Sequence, residues 1–364
     1  MRKITALFFA VLVCFSLSTK CFSVPKGAVL IDGENGRVFF EHNKDEKLPM
    51  ASTTKIMTAL IALEEENIDE FFSVTKAAVT VEGSSMGLLP GDSVTLRTLA
   101  KGMLLASGND AANAAAIKIS GSVENFAELM NKRAKEMGLE STSFETPSGL
   151  DGKNHFSTAY DMAILAKNAL QNPDFAAICR EKTLRVEYGN PPYSRVITNH
   201  NRLLKTLNGA TGVKTGFTKK AGRCLVSSAE REGVSLICVT LGCPDDWNYH
   251  TALYEEYFGK LKSVNLENPA EKIEIPVCGG TEKTVLAVPK KVSASLFEGE
   301  TEKIKTVISK PPFVFAPVEK GDIVGKALFY LDDMLVAETP LVAQNIVGTI
   351  SENKGFWNNI KDIF

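Results

Sequence analysis

Ser52 and Lys55 stand three residues apart in the run Pro49-Met50-Ala51-Ser52-Thr53-Thr54-Lys55-Ile56-Met57. Ile56 to Leu63 is apolar with good helix formers, and Glu64-Glu65-Glu66 closes the stretch, which predicts a helix opening at Ala51-Ser52. A hydroxyl in a first helical turn lies beside backbone N–H groups and the positive end of the helix dipole. An amine three residues later lies on the same face, about one turn along, within reach of that hydroxyl. Such a pair supplies a nucleophile with its own base, provided something lowers the lysine pKa from about 10.4. The spacing alone says little. Roughly one or two S-x-x-K matches arise by chance in a chain this long, and others stand at Ser23/Lys26, Ser73/Lys76 and Ser351/Lys354. A capping serine with a solvated lysine is the ordinary reading of any single match.

Two more polar groups sit where apolar residues surround them. Leu96 to Leu105 has a helical stripe of Leu96, Leu99, Met103 and Leu104, and a second apolar helix is predicted from Ala111 to Ile119. Between them, Ser107-Gly108-Asn109 is either a connecting turn or a set of side chains aimed into a cleft. From Gly209 to Leu241 the pattern predicts three strands, Val213–Thr218, Arg223–Ala229 and Val234–Leu241, joined by Gly-containing turns. The second and third are nearly all apolar or small, as in a sheet covered on both faces by helices. The first carries Lys214 and Thr215, which are costly there unless they lie at an edge or line a cleft, and Gly216 allows a ligand backbone to come close.

Other elements must position these groups. Gly27 to Glu41 reads as a hairpin leading to the serine helix, and Val123 to Met137 and Ala159 to Leu170 read as helices. Phe144 to Thr158 is a long Gly/Pro/polar loop expected on the surface; its His155 is open to two readings, a substrate contact or a solvated loop histidine. From about Leu266, short alternating runs at Ile273–Val277, Thr284–Val288, Ser293–Phe297, Ile304–Ile308 and Ala327–Val342 read as a small all-β sandwich. Phe356, Trp357, Ile360, Ile363 and Phe364 share one face of a C-terminal amphipathic helix. That tail suits a membrane surface, with docking onto the sandwich or another protein as the alternative.

Composition excludes several functions. A formal net charge of -2 gives no support for nucleic-acid binding, and 44% hydrophobic residues allow a sizeable core, expected as two domains. Arg2-Lys3, the apolar run from Ile4 to about Leu17, and Cys21-Phe22-Ser23 predict an export signal cut before Val24; an uncleaved anchor is the alternative. Cys179, Cys224, Cys238, Cys243 and Cys278 then remain, an odd number without C-x-x-C spacing. They read as buried thiols, with a Cys224–Cys238 bridge left open. Four scattered histidines form no metal constellation, and no cofactor is expected.

The ordered triplet Ser52-Thr53-Thr54-Lys55, Ser107-Gly108-Asn109 and Lys214-Thr215-Gly216 resembles the S-x-x-K, S-x-N, K-T-G motifs of penicillin-binding proteins and serine β-lactamases. A K-T-G arises by chance in roughly one chain in ten of this length, whereas three motifs in order on fitting elements make coincidence a poor account. More narrowly, Pro49 to Lys55, Ser107 to Ala111, Thr146 to Asp151, Ser157 to Ala163 and Gly212 to Thr218 resemble the low-molecular-mass D-alanyl-D-alanine carboxypeptidases. The likeness covers about residues 25 to 260 strongly and the rest more loosely. It implies an α/β fold: a β-lactamase/transpeptidase-like domain with an antiparallel sheet flanked by helices, followed by the sandwich and the amphipathic helix. The divisions expected are 1–23 for the signal, 24–262 for the catalytic domain, 263–345 for the sandwich and 346–364 for the tail.

The resemblance also implies roles. Ser52 would be the nucleophile, Lys55 the general base, Ser107 a proton relay and Asn109 a support for Lys55 or the peptide amide. Lys214 and Thr215 would bind the substrate carboxylate, with Gly216, Phe217 and His155 at the substrate, and the N–H groups of Ser52 and Phe217 would form the oxyanion hole. The substrates implied are peptidoglycan stem peptides, with β-lactams acylating the same serine, and the location implied is the outer face of a bacterial cytoplasmic membrane, contacted through the tail. The second motif ends in Gly-Asn where class A β-lactamases usually have Asp-Asn, and the neighbours of Glu145 do not match their pattern. A β-lactamase and a non-catalytic cell-wall-binding relative remain the alternatives.

Overall fold

A computed structural model describes residues 24–267 and 272–350. The expected signal segment and the amphipathic tail lie outside the described residues. The centre of the fold is a five-stranded antiparallel sheet in the spatial order Val38–His42, Gly27–Asp32, Val234–Leu241, Gly222–Arg231, Ala210–Thr218. Its middle strands are buried along almost their whole length because both faces are covered. One face packs against the large helical core, where Val29, Val226 and Val239 meet Ile56, Leu60 and Met162. The other face carries Leu30, Leu225, Leu236 and Cys238 against Leu253 and Tyr254 of the helix Asp246–Phe258. Neither that helix nor the hairpin Thr183–Gly189/Pro192–Thr198 was legible in the sequence pattern.

Several predicted elements fall where expected and others shift in ways that matter. Leu96–Leu105 is helical, opened by the Thr95 hydroxyl accepting from the Thr98 N–H. The next helix begins at Asn109, two residues before the predicted start, so Asn109 is its first residue. Ala51–Thr54 is a single 3-10 turn and the α-helix proper runs Lys55–Glu64. The loop from Phe144 to Thr158 is only partly at the surface: Asp151, Lys153 and Asn154 are exposed, whereas Pro147, Ser148, Gly149, His155 and Ser157 are buried. Its Pro147 carbonyl accepts from the Thr58 hydroxyl at 2.6 Å, which fastens the loop to the serine helix.

The second module is all β. Six strands run in the order Ile304–Ser309, Ile323–Leu331, Met334–Ala343, Thr284–Pro289, Ile273–Cys278, Val314–Phe315, over a core that includes Ile275, Val285, Phe329 and Leu341. The segment read as one run from Ala327 to Val342 is a hairpin, turning at Asp332, whose φ is +53°. Leu261–Leu266 straddles the expected division after 262 and pairs with Val292–Phe297. Cys224 and Cys238 are separate buried thiols, and Cys278 is exposed where burial was expected.

The two modules meet at Arg37, in the turn of the first hairpin. Its guanidinium grips the Glu300 carboxylate with Nη1 and Nη2 at 2.9 and 2.6 Å and lies over the rings of Phe39 and Phe297. Arg37 holds the Glu300 carboxyl below its ordinary range. A carboxyl lowered in this way stabilises the native state above its unfolded pKa and stops doing so as pH falls through the native one. A double-mutant cycle of Arg37→Ala and Glu300→Ala, read by urea unfolding, is expected to give a coupling of about 1–2 kcal/mol at pH 7. The same cycle should give a progressively smaller coupling as the pH is lowered below the ordinary glutamate range.

Candidate active site

Ser52 lies in the 3-10 turn, and the residue before it, Ala51, has φ +49°, a conformation that costs free energy in any residue with a side chain. The surroundings hold it there. Thr53 and Thr54 donate their hydroxyls back to the carbonyls of Met50 and Ala51 at 2.6 and 2.8 Å. Gly149 packs so tightly behind the turn that a β-carbon on it would stand 2.0 Å from the Ala51 carbonyl oxygen. On the other side, a β-carbon on Gly216 would meet the Ser52 and Thr53 nitrogens and the Met50 oxygen at 3.0–3.1 Å. The K-T-G strand is therefore pressed against the serine turn, backbone to backbone, and glycine is what permits it.

Lys55 is fully buried with its ammonium nitrogen 3.0 Å from Ser52 Oγ, 2.6 Å from Asn109 Oδ1 and 2.6 Å from the Ser148 carbonyl oxygen. Two distant segments thus join the serine turn at one nitrogen. Asn109 is itself held by its Nδ2 donating to the Glu82 carbonyl at 2.6 Å. Lys214, on the sheet's edge strand, is also buried, and its Nζ donates to the Thr215 carbonyl at 2.8 Å. Burial first, then the nearby charge of Lys214, holds Lys55 well below the ordinary lysine range, with Asp110 opposing. Burial alone brings Lys214 down to about 7.

A cleft of about 290 Å³ opens over these groups, lined by Ser52, Ser107, Thr215, Gly216 and Phe217, all expected from the sequence. Ser107 is only 5% exposed and has φ +59°, the second left-handed non-glycine residue at the site. Phe217 is 65% exposed at the rim. His155 is elsewhere. It is buried behind Thr54, with Nδ1 accepting from the Glu145 N–H at 3.0 Å and Nε2 2.8 Å from Thr54 Oγ1. The proton therefore sits on Nε2 and is donated to Thr54, whose own hydroxyl proton goes to Ala51. Burial lowers this histidine to about 4 and keeps it neutral. Both readings of His155 are corrected: it is neither at the cleft nor solvated, because the loop that carries it folds inward under the serine turn.

Sequence reasoning missed further residues. Ser84, His200, Arg223 and Trp247 line the same cleft. Asp110, 2% exposed, gathers the Ser85 hydroxyl and the N–H groups of Met86, Gly87 and Leu88 at 2.6–3.1 Å, fixing the strip that carries Ser84 beside Asn109. An acidic residue directly after Asn109 was a visible signal for it; a backbone carbonyl such as that of Ser148 leaves none. Among the described residues no cluster of His, Cys, Asp or Glu could hold a metal ion.

Comparison with known proteins divides the chain in the same way. Residues 23–245 match the family model described as D-alanyl-D-alanine carboxypeptidase, and residues 267–349 match that of the penicillin-binding protein 5 C-terminal domain. The chain is 33% identical over 355 residues to the D-alanyl-D-alanine carboxypeptidase DacF of Bacillus subtilis, covering 92% of this chain and 90% of that one. It is 36% identical over 353 residues to DacC of Escherichia coli, covering 92% and 86%. Among solved structures, penicillin-binding protein 5 of Haemophilus influenzae is 31% identical with a TM-score of 0.69, covering 90% of this chain and 98% of that one.

The depressed lysines have a consequence for stability. Lys214 titrates near 7 when folded and near 10.4 when unfolded, so between those values the unfolded chain binds more protons and stability rises with pH. The rise is at most about 1.4 kcal/mol per pH unit for each such lysine. Lys214→Met is expected to be more stable than the wild type near neutrality and to show a flatter slope from pH 7 to 8.5, measured as urea midpoints.

Proposed function

The chain belongs to the D-alanyl-D-alanine carboxypeptidase family, and from that premise we propose that it hydrolyses the terminal D-alanyl-D-alanine bond of peptidoglycan stem peptides through an acyl-enzyme on Ser52. The observation that carries this reading is the Lys55 nitrogen, buried, held by three bonds and 3.0 Å from the Ser52 hydroxyl. A lysine whose ammonium form is destabilised by burial and by a neighbouring cation is available as a neutral base. It takes the Ser52 proton as Oγ attacks the carbonyl carbon between the two alanines. The N–H groups of Ser52 and Phe217 receive the developing oxyanion, a contact worth roughly 3 kcal/mol per donor. Ser107 relays a proton to the departing D-alanine amine, with Lys214 as relay partner. Asn109 holds Lys55, and Thr215 and Lys214 take the substrate carboxylate. Water then frees the shortened peptide and restores Ser52.

β-Lactams carry the same peptide-like carbonyl and would acylate the same serine. The departures from the class A pattern around Asn109 and Glu145 support slow release of that adduct rather than efficient hydrolysis. For location, the apolar N-terminal run and the apolar face of the tail support export and attachment to the outer face of the cytoplasmic membrane. No metal or cofactor enters the scheme.

Incubation with benzylpenicillin followed by peptide mass spectrometry is expected to show a persistent adduct on Ser52 and none in Ser52→Ala. Rapid loss of the adduct would mark a β-lactamase, and complete absence of both adduct and D-alanine release a non-catalytic relative. Lys55→Met should lower D-alanine release by about 10²–10⁴-fold. In the wild type, kcat/KM should rise with pH on an acid limb set well below the ordinary lysine range, because the working form is the one in which Lys55 has lost its proton.

A further inference from the structure

One end of the sandwich is built from three chain segments without a charged side chain. Pro311 to Val318 reads Pro-Pro-Phe-Val-Phe-Ala-Pro-Val, Ile346 to Ile350 reads Ile-Val-Gly-Thr-Ile, and Val277 to Thr281 reads Val-Cys-Gly-Gly-Thr. Backbone pairing brings them together. Cys278 faces Phe315 in the parallel pair of Ile273–Cys278 with Val314–Phe315, and the Ile350 N–H donates to the Gly279 carbonyl at 2.9 Å. Thr349 pairs with Gly280, and Val347 with Val318. Charge stays on the flanks, at Glu319 and Lys320 and at Glu282, whose carboxylate accepts from Asn345 Nδ2 at 3.3 Å.

This end is the one remote from the catalytic module. The sandwich is tied to that module at Val336, whose carbonyl accepts from Asn35 Nδ2 at 2.9 Å. From Val336 the strand Met334–Ala343 leads to Ala343, which faces Ala287; three residues on, Thr284 faces Pro276, and Cys278 lies beyond. Every step of that path runs the same way, roughly 40 Å at the rise of an extended strand. Ile350 is at the same end, so residues 351–364 start from there.

The tip exposes apolar side chains rather than hiding them. Phe313 and Phe315 are 42% and 73% exposed with ring centroids 5.3 Å apart, and Ile346 and Ile350 are 59% and 63% exposed. A contiguous apolar patch of this kind is costly in water and marks a contact surface. A second copy joined strand to strand is a poor fit. Val314–Phe315 is the outermost strand of its sheet but has only two residues, and Pro311, Pro312 and Pro317 beside it have no N–H to extend a ladder. What the tip offers is side chains, and the boundary between lipid headgroups and acyl chains takes aromatic and branched side chains without a matched ladder or charge.

We infer that the sandwich itself makes a membrane contact, in which Phe313, Phe315, Ile346 and Ile350 enter the surface of a phospholipid bilayer beside the point where the tail begins. The inference rests on the reading of the chain as exported and membrane-attached, and it is separate from any contact made by the tail. The test uses the full chain and vesicles of phosphatidylethanolamine and phosphatidylglycerol in equal parts. Phe313→Ser/Phe315→Ser is expected to lower the vesicle partition coefficient about tenfold or more, with little dependence on salt and with benzylpenicillin acylation unchanged. Phe315→Trp, made together with Trp357→Phe, should keep binding, and brominated lipid should quench its fluorescence beyond that of Trp357→Phe alone. Full binding by the double serine variant, or an unquenched Phe315→Trp on bound vesicles, overturns the inference while attachment through the tail stands. A wild-type dimer in the absence of lipid that the serine variant loses assigns the patch to a second copy and overturns it too. A wild-type chain that binds no vesicles overturns both readings.

Discussion

The structure depends on keeping two amines out of water a short distance apart. A buried ammonium is costly, and two in one cleft repel each other, so the fold favours states in which at least one lysine has lost its proton. Most of what surrounds Lys55 serves that condition. The Asn109 amide oxygen and the Ser148 carbonyl fix its nitrogen without supplying the full negative charge that would stabilise its protonated form. Asp110, the nearby carboxylate that does oppose the shift, has its oxygens occupied by the Ser85 hydroxyl and several backbone N–H groups. The result is a base made from a residue that in water is an acid.

The three groups that meet at this point were legible in the sequence because each sits on an element with a clear apolar pattern. Ser52 and Lys55 precede the run Ile56 to Leu63, Asn109 opens the helix Asn109–Ser120, and Lys214 stands in a strand followed by two that are nearly all apolar or small. Arg223 and Trp247 were not legible. Their place at the cleft comes from cross-strand register and from a helix whose apolar residues are divided between two neighbours, and neither leaves a periodic trace. The hairpin Thr183–Gly189/Pro192–Thr198 escaped for a related reason, since most of its residues are exposed and its alternation is weak.

His155 shows how a correct motif can carry a wrong expectation. A Gly/Pro-rich stretch between helices is ordinarily a solvated connection. Here Gly149, at φ +83°, lets the chain pass against the carbonyl of Ala51, and the loop becomes a wall behind the serine. The histidine then completes a chain of hydroxyl and carbonyl partners from Glu145 through Thr54 to Ala51. Composition marks where the backbone can bend but does not say toward what.

That wall has a bearing on timing. The left-handed turn at Ala51 is shaped by Gly149 and by Gly216, and the nitrogen of Lys55 is enclosed by parts of the chain made well after it. A ribosome finishing the serine helix has therefore produced a hydroxyl beside an ordinary, protonated, water-exposed lysine. Reactivity arrives only when the last of the converging segments has docked, so an immature or damaged chain is chemically silent by construction.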